Sequence, residues 1–306
     1  MNGSGALPLP TRDGVGPSCV ALRPGPWATI AACLVARFPA IGEAVWHQRI
    51  AAREVIDEHG EPVTLQRPYR VGLRVYYYRS LTSETPVPFE ARVVFQDDRI
   101  LVADKPHFLP VTPSGVHLQE TLLVRLKRSS GIDTLAPVHR LDRETAGLVL
   151  FTIDPAMRGA YQRLFADRAV EKRYECVAPW RDDLVLPRVY RNRLIDDPAH
   201  FMRVREVPGQ PNAETTLSLI ERQGRVARYG LRPATGRRHQ LRAHCASLGI
   251  AIIGDRIYPE LLPFDTDDYS RPLQLLARAL RFVDPIDGSV RDFESDLALR
   301  PLSDHA

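Results

Sequence analysis

The chain has 306 residues, 44% of them hydrophobic and 25% charged, with 41 Lys+Arg against 37 Asp+Glu. These are the proportions of a globular protein and exclude wholesale disorder, and no apolar run reaches the ~18 residues of a membrane-spanning helix. The net charge of +4 is modest, and the length suits one large domain or two unequal ones.

Residues 1–25 are rich in Gly and Pro, lack an apolar period, and read as a flexible arm. They carry no secretory signal pattern, so a cytoplasmic location is expected. A small module is expected over 26–85. Pro26 suits a first helical position, and Trp27, Ile30, Leu34 and Phe38 recur at helical spacing. Pro39 stops that helix, and residues 41–49 read as a second. Residues 54–56 and 63–65 read as a strand pair around the Glu58-His59-Gly60 turn, and 71–78 as a further strand. Residues 80–88 read as a linker.

A second domain is expected over 86–306. Strands are expected at 93–95 and 100–103 around the Asp97-Asp98 turn. A buried strand follows at 147–152. Asp154-Pro155 caps and opens a helix through Phe165, and 172–178 is the next strand. No βαβ period repeats, so the expected class is α+β with a largely antiparallel or mixed sheet. Residues 259–272, with Asp265, Asp267 and Asp268, read as a surface insertion.

Two segments could carry chemistry. In 138–150, Asp142 precedes an apolar strand with Arg140 and Arg143 beside it. A carboxylate among guanidiniums stays ionised, as a nucleophile or base must. A structural Asp–Arg pair capping the strand is the plain alternative. In 235–249, Thr235 can cap a helix, Gly249 suits its C′ position, and Leu241, Cys245 and Leu248 share a core face. Gly236, Arg237 and Arg238 would then present N–H groups and guanidiniums at a helix N-terminus, where an anion such as phosphate fits. A solvated basic helix end is the alternative there.

No metal and no cofactor is expected. His239 and His244 are five residues apart, about 500° around a helix, not on one face. Cys19, Cys33, Cys176 and Cys245 have no paired spacing and read as reduced thiols. Phosphate-loop, dinucleotide and Gly-x-Ser-x-Gly patterns are absent from the sequence. Only three basic residues are lysine (Lys105, Lys127, Lys172). A GC-rich genome favours arginine codons, and a surface that grips phosphate also favours arginine. Nine arginines lie between Met202 and His244 against three acids, Glu206, Glu214 and Glu221.

"HRLDRETAGLVLF" at 139–151 resembles the signature of RluA-type pseudouridine synthases. "ILVADKPHFLPVTPSG" at 100–115, "EKRYECV" at 171–177, "TGRRHQLRAHCASLGIAIIGDRIY" at 235–258 and "LQLLARALRFVDPIDG" at 273–288 resemble further family motifs, in the family's order. Ala146 stands where Ser is common, and Leu276-Ala277 where a His-Ala pair is frequent. The pattern "VIDEHGEPVTLQRPYRVGLRVYYYR" resembles an S4-like RNA-binding module, with a cap that touches no RNA as the alternative.

The resemblance implies a pseudouridine synthase fold and the isomerisation of uridine to pseudouridine in ribosomal or transfer RNA, without cofactor. It makes Asp142 the essential carboxylate, Tyr174 the residue that stacks on the target base, and Arg242 the partner of Asp142. Arg140 would help fill the space left by the flipped base. Lys105, Arg237, Arg238 and His239 are the further expected substrate contacts. RNA is the expected partner, and a monomer is the default.

Overall fold

The computed structural model describes residues 9–81, 83–263 and 268–305. Residues 1–8 of the expected arm, and Asp265 and Asp267 of the expected insertion, lie outside these. The chain divides into two compact units: residues 1–84 with 113–119 and 124–133, and residues 85–112, 120–123 and 134–306. The break after Glu84 falls inside the stretch read as a linker. The two later segments of the first unit had no signal in the sequence.

The first unit holds strand β1 (Ser18–Ala21), helices α1 (Ile30–Arg37) and α2 (Glu43–Ala51), and strands β2 (Val55–Asp57) and β3 (Arg74–Tyr77). The strands form an antiparallel sheet in the order β1-β3-β2. Strand β1 thus lies in the stretch read as an arm, because Val20 and Leu22 alternate into the core. Helix α1 starts later than Pro26: the Thr29 side chain accepts from the Ala32 amide at 3.1 Å and fixes the first turn. Ile30, Leu34, Trp46, Val75 and Tyr77 form the core, with the Trp46 and Tyr77 rings edge-on at 4.8 Å.

The second unit opens with β4 (Arg92–Gln96) and β5 (Ile100–Lys105). Helix α3 (Leu122–Ser130) belongs to it only through Leu122 and Leu123. Then come β6 (Ala136–Pro137), β7 (Ala146–Thr152), α4 (Arg158–Ala166), β8 (Glu171–Pro179), β9 (Arg188–Asp196) and β10 (Val204–Val207). Strands β11 (Ala213–Gln223) and β12 (Val226–Pro233), helix α5 (Gln240–Ser247), and strands β13 (Leu275–Val283) and β14 (Val290–Glu294) complete it. Asp154 caps a 3₁₀ turn at Pro155–Met157, accepting from the Ala156 amide at 2.8 Å, so α4 proper begins one turn after the expected start.

The sheet runs β10-β9-β11-β12-β8-β13-β7-β5-β4, with β14 also on β13 and β6 on β7. Every pairing is antiparallel except β13 with β7. The mixed α+β reading therefore holds. At that one parallel contact Gly147 has φ +110°, and a Cβ there would sit 2.3 Å from the Ala277 carbonyl oxygen. Only glycine lets the two strands approach so closely.

Helix α5 packs Leu241, Cys245 and Leu248 against Cys176, Leu217, Tyr229 and Leu275, as the sequence predicts. It ends at Gly249, φ +72°, where the Gly249 amide bonds to Ala246 O and the Ile250 amide to Cys245 O. These are the two bonds of a Schellman stop. Around α4, Tyr161 packs with Ile100, Leu148, Leu150 and Phe282. Among the described residues no helix is long and apolar enough to cross a membrane.

Candidate active site

Asp142 lies in the turn that leads into β7, closed by the Thr145 amide on the Asp142 carbonyl at 3.1 Å. Its carboxylate is 28% exposed. His139, at the start of the same motif, anchors this turn. Its Nε2 accepts from the Leu150 amide at 3.1 Å, and its ring stacks on Phe165 at 4.5 Å. Burial pushes its pKa down to about 3, so Nε2 keeps the lone pair that this bond needs.

Arg242 comes from the first turn of α5 and is 2% exposed. Its Nη1 donates to Asp142 Oδ2 at 3.3 Å. Two further donors go to Asp255: Nε to Oδ2 at 2.8 Å and Nη2 to Oδ1 at 2.7 Å. Asp255 Oδ1 also accepts from the Ile257 and Tyr258 amides at 2.8 and 3.0 Å. Burial works against the Arg242 charge, but the bonds and charge of Asp255, with the charge of Asp142, outweigh it and raise its pKa. The guanidinium is thus fixed and charged before any substrate arrives.

Tyr174 sits on β8. Burial first, and the Asp142 charge second, push its phenol pKa up, so it stays protonated. Among the described residues its hydroxyl has no hydrogen-bond partner, and the residue lines the cleft. His239 approaches Asp142 Oδ1 with Nε2 at 3.7 Å and holds a left-handed backbone, φ +51°. Burial lowers its pKa, so it is mainly neutral at pH 7.

Asp142, Tyr174, Arg140, Lys172, Arg237 and Arg242 line one cleft, together with Thr235 and His239. Arg140 is exposed and makes no ion pair among the described residues. Thr235 does not cap α5. It donates to Gln240 Oε1 at 2.7 Å, and the same oxygen accepts from the Arg237 amide at 3.1 Å. Gln240 thereby pins the loop that carries Arg237.

Two expected contacts lie elsewhere. Lys105 is fully buried, and its ammonium donates to the carbonyls of Pro106, Leu109 and Arg143 at 2.8–3.0 Å. It therefore cannot reach a phosphate. Arg238 turns away to Asp196 and to the carbonyls of Phe201 and Arg203, and does not line the cleft. The residues not foreseen are Asp255, Gln240 and Lys172. All three lie inside quoted motifs, but only the fold shows what they touch. His244, buried on Thr215 and Asn192, is not brought to Asp142.

The sequence profile described as RNA pseudouridylate synthase matches residues 99–247. The dual-specificity RNA pseudouridine synthase RluA of Salmonella typhimurium is 30% identical over 208 residues, 66% of this chain and 91% of that one. The chain belongs to the RluA-type RNA pseudouridine synthase family. Pseudouridylate synthase RPUSD2 of Homo sapiens is 32% identical to the synthase over 178 residues, 57% of this chain and 32% of that one. The matched part thus spans about a third of the human relative's length. The solved human RNA pseudouridylate synthase domain containing 1 shares the synthase fold, with a TM-score of 0.56 and 23% identity over 70% of this chain and 86% of that one.

Proposed function

We propose that this synthase isomerises uridines in structured ribosomal or transfer RNA, with Asp142 as the residue that acts on the flipped nucleotide. The supporting observation is the clamp at Asp142: a part-exposed carboxylate held by a buried, charged arginine, beside a tyrosine ring whose hydroxyl has no partner among the described residues. Salmonella RluA, by its name, has dual specificity among RNAs.

The reaction breaks the N1–C1′ bond, turns the base and forms a C5–C1′ bond. C5 loses a proton and N1 gains one, so atoms and electrons balance within the substrate. The uridine must first leave its stack, at a cost of roughly a few kcal/mol. Stacking on Tyr174 returns about 1–3 kcal/mol of that. Arg242 holds Asp142 in place and oriented toward the ribose. Asp142 acts either as nucleophile at C1′ or as base on the C2′ proton. Arg140, Arg237 and His239 line the cleft around the flipped nucleotide; Arg140 helps fill the space that the base leaves, and Arg237 faces a phosphate, which makes affinity salt-dependent.

The test is Asp142→Asn, assayed for pseudouridine in RNA from a strain lacking the native gene. Formation should fall below detection, while RNA binding by filter retention stays within about threefold. Turnover near that of the wild type would overturn the assignment.

A further inference from the structure

We infer that the synthase has a second phosphate site, on the face of the sheet opposite the catalytic cleft, where Arg173 and Arg232 take a backbone phosphate of the bound RNA. The inference rests on the reading of the chain as an RNA-modifying enzyme, and starts from strand alternation. Lys172 and Tyr174 point from β8 into the cleft, so Arg173 between them points to the other face. On β12 the register pairs Leu231 with Tyr174. The next residue, Arg232, therefore also points to the far face, and stands beside Arg173.

Two like charges side by side on adjacent strands are destabilising unless something neutralises them. The neighbouring row of that face is neutralised: Glu175 takes Arg278 at 2.8 Å and Arg228 at 3.4 Å. At the strand ends, Arg281 pairs with Asp292 at 3.4 Å. The side chains of Arg173 and Arg232 make no hydrogen bond or ion pair among the described residues. The register partner of Arg173 on β13 is Ala279, too small to fill the space beside it. The result is a hollow of about 250 Å³ lined by Arg173, Arg232, Arg281, Glu171 and Asp292, with a net charge of one positive unit.

Position selects the ligand. The β8 and β12 ends that hold these arginines also hold Tyr174, Lys172 and Pro233 of the cleft. An RNA strand whose uridine sits on Tyr174 has its neighbouring nucleotides at these ends, and one turn of backbone brings a phosphate to the far face. Guanidinium pairs bind phosphate in two-pronged fashion.

The test is the double variant Arg173→Gln/Arg232→Gln, made at exposed or half-exposed positions. RNA affinity at 150 mM salt should fall about tenfold, and the slope of log K against log salt should drop by about 1.5. The kinetic loss should appear in KM. Gln at Arg92 and Arg163, exposed arginines elsewhere on the unit, should shift affinity less than twofold. Unchanged affinity and slope in the Arg173/Arg232 variant, or an equal loss in the control, would overturn the site. So would inorganic phosphate binding that Arg173→Gln/Arg232→Gln abolishes without any loss of RNA affinity. Wild-type enzyme is assayed on the same RNA for pseudouridine: its failure there would refute the enzymatic reading, not the site.

Discussion

Arg242 makes three side-chain hydrogen bonds, and two of them go to Asp255 rather than to Asp142. Asp255 itself is fully buried and held by two backbone amides. The guanidinium is therefore positioned from behind, and Asp142 receives one arm of an already rigid group. Asp255→Asn should lower kcat by about a hundredfold with little change in KM, since the clamp loosens without altering what the RNA touches. Asp255→Glu should recover part of kcat. A fall confined to KM would show that Asp255 positions no catalytic group. Tyr174→Phe should be far milder than Tyr174→Ala, because among the described residues the hydroxyl has no partner to lose; single-turnover rates separate the two. Lys105 shows what a sequence hides. Beside Pro106 in a family motif it reads as a substrate contact, yet its three acceptors come from Pro106, Leu109 and Arg143, and the last is 38 residues away.

Local sequence governs the elements best where one residue type closes a backbone pattern. The core face of α5 and its Gly249 stop were legible because helical period and C′ glycine are local properties. Its start was not, because Gln240 reaches back to Thr235 and His239 takes a left-handed turn under tertiary packing. Pro26 likewise gave way to Thr29, whose hydroxyl does the capping. The strands of the motifs were legible from apolar runs, whereas the long β9 and β11 ribbons, only half buried, carry no clear alternation. Gly147 is the strongest demand placed on one element. Gly147→Ala puts a methyl group into the Ala277 carbonyl and forces an unfavourable φ, so denaturant unfolding should show a loss of about 3 kcal/mol. A loss under 1 kcal/mol would mean that β7 and β13 can part without cost.

At the scale of the whole molecule, much of the charge in the arginine-rich stretch is met by internal pairing. Of the arginine-rich stretch, Arg203, Arg222, Arg228, Arg238 and Arg242 meet carboxylates, several of them from outside the stretch. The local excess in sequence therefore overstates the free cation surface. Three histidines, His244 buried and His107 and His139 half-buried, add an acid sensitivity. Burial lowers the pKa of His107 and His244 to about 4 and of His139 to about 3. Each is neutral when folded and takes a proton near pH 6.5 when unfolded. Stability from this source is full above about pH 6.5 and is lost as the pH falls toward 4, by roughly 1–2 kcal/mol per histidine between pH 6.5 and 5. Urea midpoints over that range should fall steeply, and His244→Gln should flatten the curve. An unchanged slope in that variant would show that His244 protonates freely in the folded state.

Strand β13 stands between the two halves of the site. Ala277 pairs with Gly147 on one side and with Tyr174 on the other, so the distance from the Asp142 turn to the Tyr174 strand is written in its register. Strands β7 and β8 do not touch each other in the sheet. On the ribosome, both are synthesised about a hundred residues or more before the strand that joins them. The two halves of the proposed site are thus made apart in the chain, and come into register only through β13.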